Sequence, residues 1–332
     1  MSNELASRPL RILTNQAYWQ SPVWREKVDS IHPEHGRGLV REPPAWKQAW
    51  LMFRRRSHYD VVLTLGVRES MLYGLFCLLI GAESLQIMTE VFLDDERAGP
   101  VWHLKNRLYR RIARRALGVI ANSRAEIDSI SERYDIPRDR IRFVPINSTL
   151  ADHPISHTDD GFILAAGRSH RDYPTLIAAV RSLKCRIVII CGRHDDIPAG
   201  EIPNATILRD VNYDIYLDHL RRCTLVAIPL RETRRATGQV VALEAMSLGK
   251  PVVATRVAGT VDYIQDGITG LLVPPGDVSA WHAALDRLLK DHALRERLAQ
   301  EARAQIEARH SFDTHARLKL QAIRELFEKS RP

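Results

Sequence analysis

Short apolar runs alternate with stretches of helical spacing along most of the chain. This alternation is typical of a doubly wound α/β fold with parallel sheets. In the first half, we predict strands at residues 10–14, 59–66, 85–89, 118–123 and 141–145. We predict helices at residues 70–80, 101–116 and 124–134.

The same alternation begins again after a polar, proline-containing stretch at residues 145–160. Such stretches are typical of linkers, so we predict two domains, at residues 1–150 and 160–310. The later predicted strands are residues 161–167, 186–191, 205–208 and 224–229, and the later helices are residues 174–183, 278–290, 293–310 and 314–329. Residues 236–277 predict a loop, a helix, a buried strand, a second helix, a tight turn and a strand.

The net charge of +8 is concentrated in the first half of the chain. Residues 1–150 hold 23 Lys and Arg against 17 Asp and Glu, and no acid lies between Arg97 and Glu126. A basic surface attracts nucleic acid, anionic lipid and phosphorylated substrates alike. No nucleic-acid-binding motif accompanies the charge, so we do not expect nucleic acid as a partner.

Two segments combine basic and apolar residues in a way that suits a membrane surface. Residues 46–56 mix aromatic residues with an arginine cluster, and residues 102–116 place Leu104, Leu108 and Ile112 at helical spacing among arginines. Such a helix can lie on anionic lipid. The other interpretation is a stripe that faces the core and has a solvated basic back.

The location that we expect is the cytoplasm, with the inner face of the cell membrane as a further possibility. No apolar run approaches the ~18 residues of a spanning helix. The first residues lack the layout of a signal peptide.

One acid, Glu244, lies among apolar residues on the helix predicted after Gly238. Glycine lets a ligand approach the free N–H groups that open a helix, and that helix end favours anions. A carboxylate nearby accepts hydroxyl donors. The combination suits a nucleoside diphosphate with its ribose, and the predicted contacts are Thr237, Gly238, Gln239, Val240 and Glu244.

Four short motifs carry a resemblance to a known family. They are Thr-Gly-Gln at 237–239, Leu-Glu-Ala-Met at 243–246, Leu-Gly-Lys-Pro-Val-Val at 248–253, and Asp-Gly-Ile-Thr-Gly-Leu-Leu-Val-Pro-Pro-Gly-Asp at 266–277. The chain resembles GT-B glycosyltransferases, nearest to family four (glycosyl transferases group 1), which are mostly retaining enzymes using nucleotide sugars.

The resemblance implies two Rossmann-like domains facing a central cleft, with the last helix (312–332) packed on the first domain. It implies transfer of a hexose from a nucleoside diphosphate sugar to a glycan or lipid-linked acceptor in the synthesis of cell-surface polysaccharide or glycoconjugate. No metal and no cofactor other than the donor is expected.

The resemblance also assigns residues after two further strands. Gly167 and Arg168 match the family's Gly-Arg, whose cation neutralises the diphosphate. The family's lysine position falls on Tyr173, and Arg171 is predicted to replace that charge as a second catalytic cation. Asp210 and Val211 take the place where the family reads its base through backbone groups.

Two departures leave other functions open. Ala236 stands where the family has the first glutamate of its pair, and Glu90 stands near the position of a first-domain histidine. Glu90 is predicted to act as a base or to stabilise positive charge, although an exposed loop acid is an equal interpretation. We interpret Asp94 and Asp95 as solvated acids. A non-catalytic nucleotide-sugar-binding scaffold and a sugar-nucleotide epimerase or hydrolase remain alternatives.

Overall fold

The computed structural model describes residues 8–16, 20–32, 43–91, 99–198 and 204–330. The chain forms two compact units: unit 1 comprises Met1–Val144 and Phe312–Pro332, and unit 2 comprises Pro145–Ser311. Each unit contains one parallel sheet of six strands. The predicted α/β class is therefore confirmed. None of the described helices is both long and apolar enough to cross a bilayer.

The described residues of unit 1 up to Val144 form six strands and five α-helices. The strands are β1 (Ile12–Thr14), β2 (Val28–Ser30), β3 (Val61–Leu65), β4 (Gln86–Thr89), β5 (Gly118–Ala121) and β6 (Ile141–Phe143). The helices are α1 (Pro22–Lys27), α2 (Ala45–Arg55), α3 (Val67–Leu79), α4 (Pro100–Arg115) and α5 (Glu126–Tyr134). The strand order is β2-β1-β3-β4-β5-β6.

Unit 2 repeats this architecture. Its strands are β7 (Phe162–Ala166), β8 (Arg186–Cys191), β9 (Ala205–Arg209), β10 (Leu225–Ile228), β11 (Val252–Thr255) and β12 (Leu271–Val273). Its helices are α6 (Tyr173–Val180), α7 (Tyr213–Arg222), α8 (Gln239–Ser247), α9 (Val278–Lys290) and α10 (His292–Arg309). The order β12-β11-β10-β7-β8-β9 places the first and fourth strands of the unit side by side. The last helix of the chain, α11 (Phe312–Lys329), belongs to unit 1.

Both faces of the central strands are covered, which explains why those strands are apolar. In β7, Leu164 packs into one buried cluster, whereas its neighbours Ile163 and Ala165 pack into another. In β3, Val62 packs with α2 and α3, and Leu63 packs with α1 and α11. Successive strand residues point to opposite faces, so each of these two strands contributes to two cores.

The structure differs from the predicted elements in a few places. The short β2, α1 and α2, as well as α7, had not been predicted. β2 has only three residues and buries only the first of them, so its pattern is too short to detect. The helix predicted between β11 and β12 is wrong, because residues 258–263 form turns. There the Thr260 hydroxyl accepts the Val257 N–H and donates to the Thr255 carbonyl, at 3.1 and 2.6 Å. Such local hydrogen bonds compete with a helix.

Candidate functional site

The loops that follow β7 and β10 form one surface in unit 2. These two strands are neighbours at the point where the strand order of the sheet reverses, and ligands of such sheets bind outside the carboxyl ends of the strands at that point. Arg171 forms an antiparallel bridge with Leu230. The Arg231 N–H donates to the His170 carbonyl at 2.9 Å. The loop that carries Arg168 is thus fixed beside the loop that leads into α8.

Arg171 holds its own loop together. Its side chain is buried, with Nε donating to the Ala166 carbonyl at 3.0 Å and Nη1 to the Ser169 carbonyl at 2.8 Å. Gly167, at φ +130°, has no Cβ, and a Cβ there would overlap the guanidinium. Burial lowers the pKa of Arg171 from its ordinary value. The predicted second cation therefore stabilises the loop through its hydrogen bonds to main-chain carbonyls.

Arg168 is the exposed cation of this loop. Its Nη2 lies 3.8 Å from Oδ1 of Asp210, and Nε of Arg193 lies 3.4 Å from Oδ2 of the same carboxylate. The structure thus brings together the predicted residues Arg168 and Asp210. Val211 is half-buried and packs against a core cluster of unit 2, so its side chain belongs to the core.

Tyr173, at the family's lysine position, is a buried phenol. Its hydroxyl donates to the Gly167 carbonyl at 2.6 Å and lies 3.2 Å from the Ile190 carbonyl. Burial raises the pKa of Tyr173 far above its ordinary value, so the group stays neutral. It supports the same loop that Arg171 supports.

The N-terminus of α8 is open to an anion. Gly238 occupies the N-cap at φ +87°, and no side chain caps this helix start among the described residues. A Cβ at Gly238 would lie 2.8 Å from the Leu230 side chain. The Thr237 hydroxyl is buried and has no hydrogen-bond partner in the described part of the chain. Unsatisfied donors at a helix N-terminus favour negative charge.

The remaining predicted contacts of α8 are divided between core and surface. Gln239 is buried, whereas Val240 is exposed. Ala236, where the family has its first glutamate, is buried as well.

Glu244 is buried and accepts three hydroxyl hydrogen bonds. Its Oε1 accepts from Thr149 at 2.7 Å and from Tyr213 at 2.9 Å, and its Oε2 accepts from Tyr216 at 2.8 Å. Burial, followed by the charge of Glu244, raises the pKa of Tyr213 to about 12, and the same causes raise the pKa of Tyr216 well above its ordinary value. These residues were missed from the sequence. The signal was present, since tyrosines three positions apart share a helix face.

In unit 1, Glu90 lies within the electrostatic influence of a buried ammonium. It follows β4 at φ +53° and is half-buried. Burial raises the pKa of Glu90, and the ammonium of Lys319 acts in the opposite direction. Lys319, on α11, is buried and donates to Oε1 of Gln16 at 2.9 Å, and burial lowers its pKa to about 8. Glu90 is thus not the solvated loop acid of the alternative interpretation.

The basic surface of unit 1 has an apolar groove on α4. Leu104 is 70% exposed, whereas Leu108 is half-buried and Ile112 is buried, so the predicted stripe runs from solvent into the core. The groove has a volume of about 480 Å³ and is lined by Leu104, Leu108, Arg107, Arg110, Arg111 and Arg114. Trp46 and Trp50 on α2 are exposed as well.

The structure supplies no candidate metal site in its described part. No group of three or more His, Cys, Asp or Glu residues is placed to hold a metal ion among residues 8–16, 20–32, 43–91, 99–198 and 204–330. Asp94 and Asp95 lie outside the described residues.

Comparison with known proteins confirms the resemblance to GT-B and group 1 glycosyltransferases. A family model described as "Glycosyl transferases group 1" matches residues 162–291. The D-inositol 3-phosphate glycosyltransferase of Salinispora arenicola is 30% identical over 225 residues, which cover 56% of this chain and 50% of that protein. The protein of the same name from Paenarthrobacter aurescens is 27% identical, covering 81% of this chain and 72% of that one. The aligned region thus spans only half of the Salinispora protein.

The fold matches that of solved glycosyltransferases. The crystal structure of Anabaena HepE in complex with UDP and glucose superposes with a TM-score of 0.67 at 16% identity, covering 94% of this chain and 98% of that chain. At that identity the likeness concerns the fold, two parallel six-stranded α/β units.

Proposed function

We propose, from the match of residues 162–291 to the family model of group 1 glycosyltransferases, that the protein transfers a hexose from a nucleoside diphosphate sugar to a glycan or lipid-linked acceptor. The observation that carries this proposal is the open N-terminus of α8. Its N-cap is Gly238, the preceding Thr237 hydroxyl has no partner among the described residues, and the adjoining loop carries the exposed Arg168.

The donor diphosphate suits this surface. Helix N–H groups and a guanidinium bind phosphate oxygens, and they stabilise the negative charge that develops when the diphosphate leaves. The complex of HepE with UDP and glucose supports a uridine nucleotide as the first donor to test. Asp210, beside Arg168, lies where the base is expected to bind.

We assign Glu90 to the acceptor side of the reaction. The acceptor hydroxyl attacks the anomeric carbon, the bond from that carbon to the phosphate oxygen breaks, and the hydroxyl proton passes to Glu90 or to the leaving phosphate. A carboxylate whose pKa is raised by burial accepts a proton more readily at neutral pH. In a retaining transfer, which the resemblance implies, attack and departure take place on the same face of the sugar.

Incubation with uridine and guanosine diphosphate sugars, with and without bacterial lipid extract, tests this function. We expect release of nucleoside diphosphate that depends on the extract, together with a glycosylated product. Release without the extract indicates a hydrolase, and an altered sugar nucleotide indicates an epimerase. Binding without turnover supports a scaffold, and any of these three results contradicts the proposed transfer.

A membrane location for unit 1, at the cytoplasmic face, is part of the proposal. The α4 groove joins exposed apolar side chains to four arginines, which suits anionic lipid, since each cation near such a surface contributes about 1 kcal/mol. We expect the protein to bind vesicles that contain about 30 mol% of the anionic lipid phosphatidylglycerol. We expect no binding to vesicles of pure phosphatidylcholine, which carry no net charge. Leu104→Asp should abolish sedimentation with the vesicles, whereas Val278→Asp, at an exposed apolar site of unit 2, should not. Equal sedimentation of both variants would contradict this location.

A further inference from the structure

The carboxylate that we expect to bind the donor ribose is already engaged. Each carboxylate oxygen accepts about two hydrogen bonds. Oε1 of Glu244 receives two, from Thr149 and Tyr213, and Oε2 receives one from Tyr216. With 3% of its surface exposed, Glu244 has little contact with bulk water. A ribose that binds at Oε1 therefore has to replace one of these hydroxyl groups.

Tyr213 is the hydroxyl donor that can leave most easily. Tyr213 is 49% exposed and is the first residue of α7, whereas Tyr216 is half-buried. Thr149 is exposed as well, but it makes the shorter hydrogen bond to Oε1, at 2.7 Å against 2.9 Å for Tyr213. The start of α7 does not depend on Tyr213, because the Asn212 side chain caps the helix by accepting the Ile215 N–H at 2.9 Å. Rotation of the Tyr213 side chain would carry its hydroxyl into solvent without disturbing the helix.

We propose that Tyr213 is a specificity-determining residue whose hydroxyl occupies Oε1 of Glu244 and is exchanged for a ribose hydroxyl when a nucleotide binds. This inference rests on the proposed function. The exchange replaces one hydrogen bond to the carboxylate by another. In the wild-type protein the ribose hydroxyls should therefore add little affinity.

Removing the Tyr213 hydroxyl changes this balance. In Tyr213→Phe, Oε1 keeps one donor from Thr149 and lacks its second, on a residue of which only 3% is exposed. A ribose hydroxyl then fills an unmet acceptor instead of displacing a competitor. A hydrogen bond to a charged group is worth enough to raise affinity by about tenfold. A nucleotide without ribose hydroxyls should gain nothing.

Calorimetry with UDP and with 2′,3′-dideoxy-UDP tests this exchange. We expect the two ligands to differ by less than about threefold in affinity for the wild-type protein, since one bond replaces another. In Tyr213→Phe, UDP should bind about tenfold more tightly and the dideoxy nucleotide should be unchanged. The guanosine pair is used in the same way if UDP does not bind.

Tyr216→Phe is the matched control, because it removes a hydroxyl from the other oxygen, Oε2, of the same carboxylate. We expect it to lower the melting temperature without a gain that is selective for UDP. Equal changes for the two ligands in Tyr213→Phe, or a UDP preference above tenfold in the wild-type protein, would overturn the exchange. If neither UDP nor GDP binds the wild-type protein, both the proposed donor function and the exchange are contradicted. If the nucleotide binds but Tyr213→Phe shows no gain in affinity that is selective for the ligand with ribose hydroxyls, only the exchange is contradicted.

Discussion

The two units place buried charged groups next to parallel sheets of the same size, but they satisfy those groups differently. In unit 2, the Arg171 guanidinium donates to carbonyls two and five residues away along the chain. In unit 1, the Lys319 ammonium donates to Gln16, 303 residues away. One charge is held by its own loop, and the other is held only when α11 has packed into unit 1.

From this difference we expect the buried cation of unit 1 to cost more folding free energy than the buried cation of unit 2. A guanidinium with hydrogen bonds to neighbouring carbonyls keeps its partners in any folded form of the loop. An ammonium removed from water by long-range packing loses solvation and regains it only when the unit opens. We therefore expect the charge of unit 1 to dominate the pH dependence of stability.

The largest expected effect is that of Lys319→Met between pH 8 and 10. Burial lowers the pKa of Lys319 to about 8, below its ordinary value of 10.5, so the unfolded chain binds more protons than the folded one in this window. The free energy of unfolding of the wild-type protein should therefore rise with pH relative to the variant, by up to about 3 kcal/mol. Below about pH 8 the difference should be constant.

Urea unfolding at a series of pH values, followed by tryptophan fluorescence, measures this effect. Five of the six tryptophans belong to unit 1, so the signal reports mainly on that unit. Lys290→Met, at an exposed lysine of unit 2, is the control and should show a constant difference from wild type. Parallel curves for wild type and Lys319→Met would mean that the ammonium is not held in a desolvated site.

The same contrast between contacts close in sequence and contacts far apart in sequence determines which strands and helices could be predicted. The strands of both sheets were predicted wherever a run of buried residues was long enough, as in β7 and β8. The three residues of β2 form a strand only through pairing with β1, with Ile12 opposite Val28. α7 directly follows the residues that were interpreted as a base-binding loop, and its apolar face is defined by Leu217 and Leu220, which pack into the core of unit 2.

The candidate site shows the same division. Gly238, Thr237 and Arg168 were predicted as contacts because each lies in a motif that follows a strand. The engagement of Glu244 was not found, because Thr149 precedes it by 95 residues and because α7, which carries both tyrosines, had not been predicted. Arg171 was identified as a charge, but its burial depends on the absence of a Cβ at Gly167, which fixes where the guanidinium lies.

An effect of intermediate size is expected for two arginines of the same loop in unit 2, the buried Arg171 and the exposed Arg168. Arg171→Met should lower the free energy of unfolding by about 2 kcal/mol, because the buried Ala166 carbonyl loses a charged donor. Arg168→Met should change it by less than about 0.5 kcal/mol, since this side chain is exposed. It should instead weaken UDP binding about tenfold.

Urea unfolding and calorimetry on the two variants separate these roles, each serving as the control for the other. If Arg171→Met loses UDP affinity while its free energy of unfolding is unchanged, Arg171 binds the diphosphate, as the sequence predicted, and does not stabilise the loop. Loss of stability in Arg168→Met would show that its approach to Asp210 contributes to the fold.

The smallest expected effect compares left-handed backbone positions in the two units. At φ +87°, unit 2 has Gly238, whereas at φ +53° unit 1 has Glu90. A Cβ at such a position costs about 1 kcal/mol. Glu90→Gly and Glu90→Ala both remove the carboxylate and differ only in the Cβ, so the glycine variant should be more stable by about 1 kcal/mol. Both should lose acceptor-dependent turnover. If the alanine variant is as stable as the glycine variant, the backbone at position 90 stores no strain. If both variants keep acceptor-dependent turnover, Glu90 has no part in the reaction, and any backbone strain at this position is unrelated to catalysis.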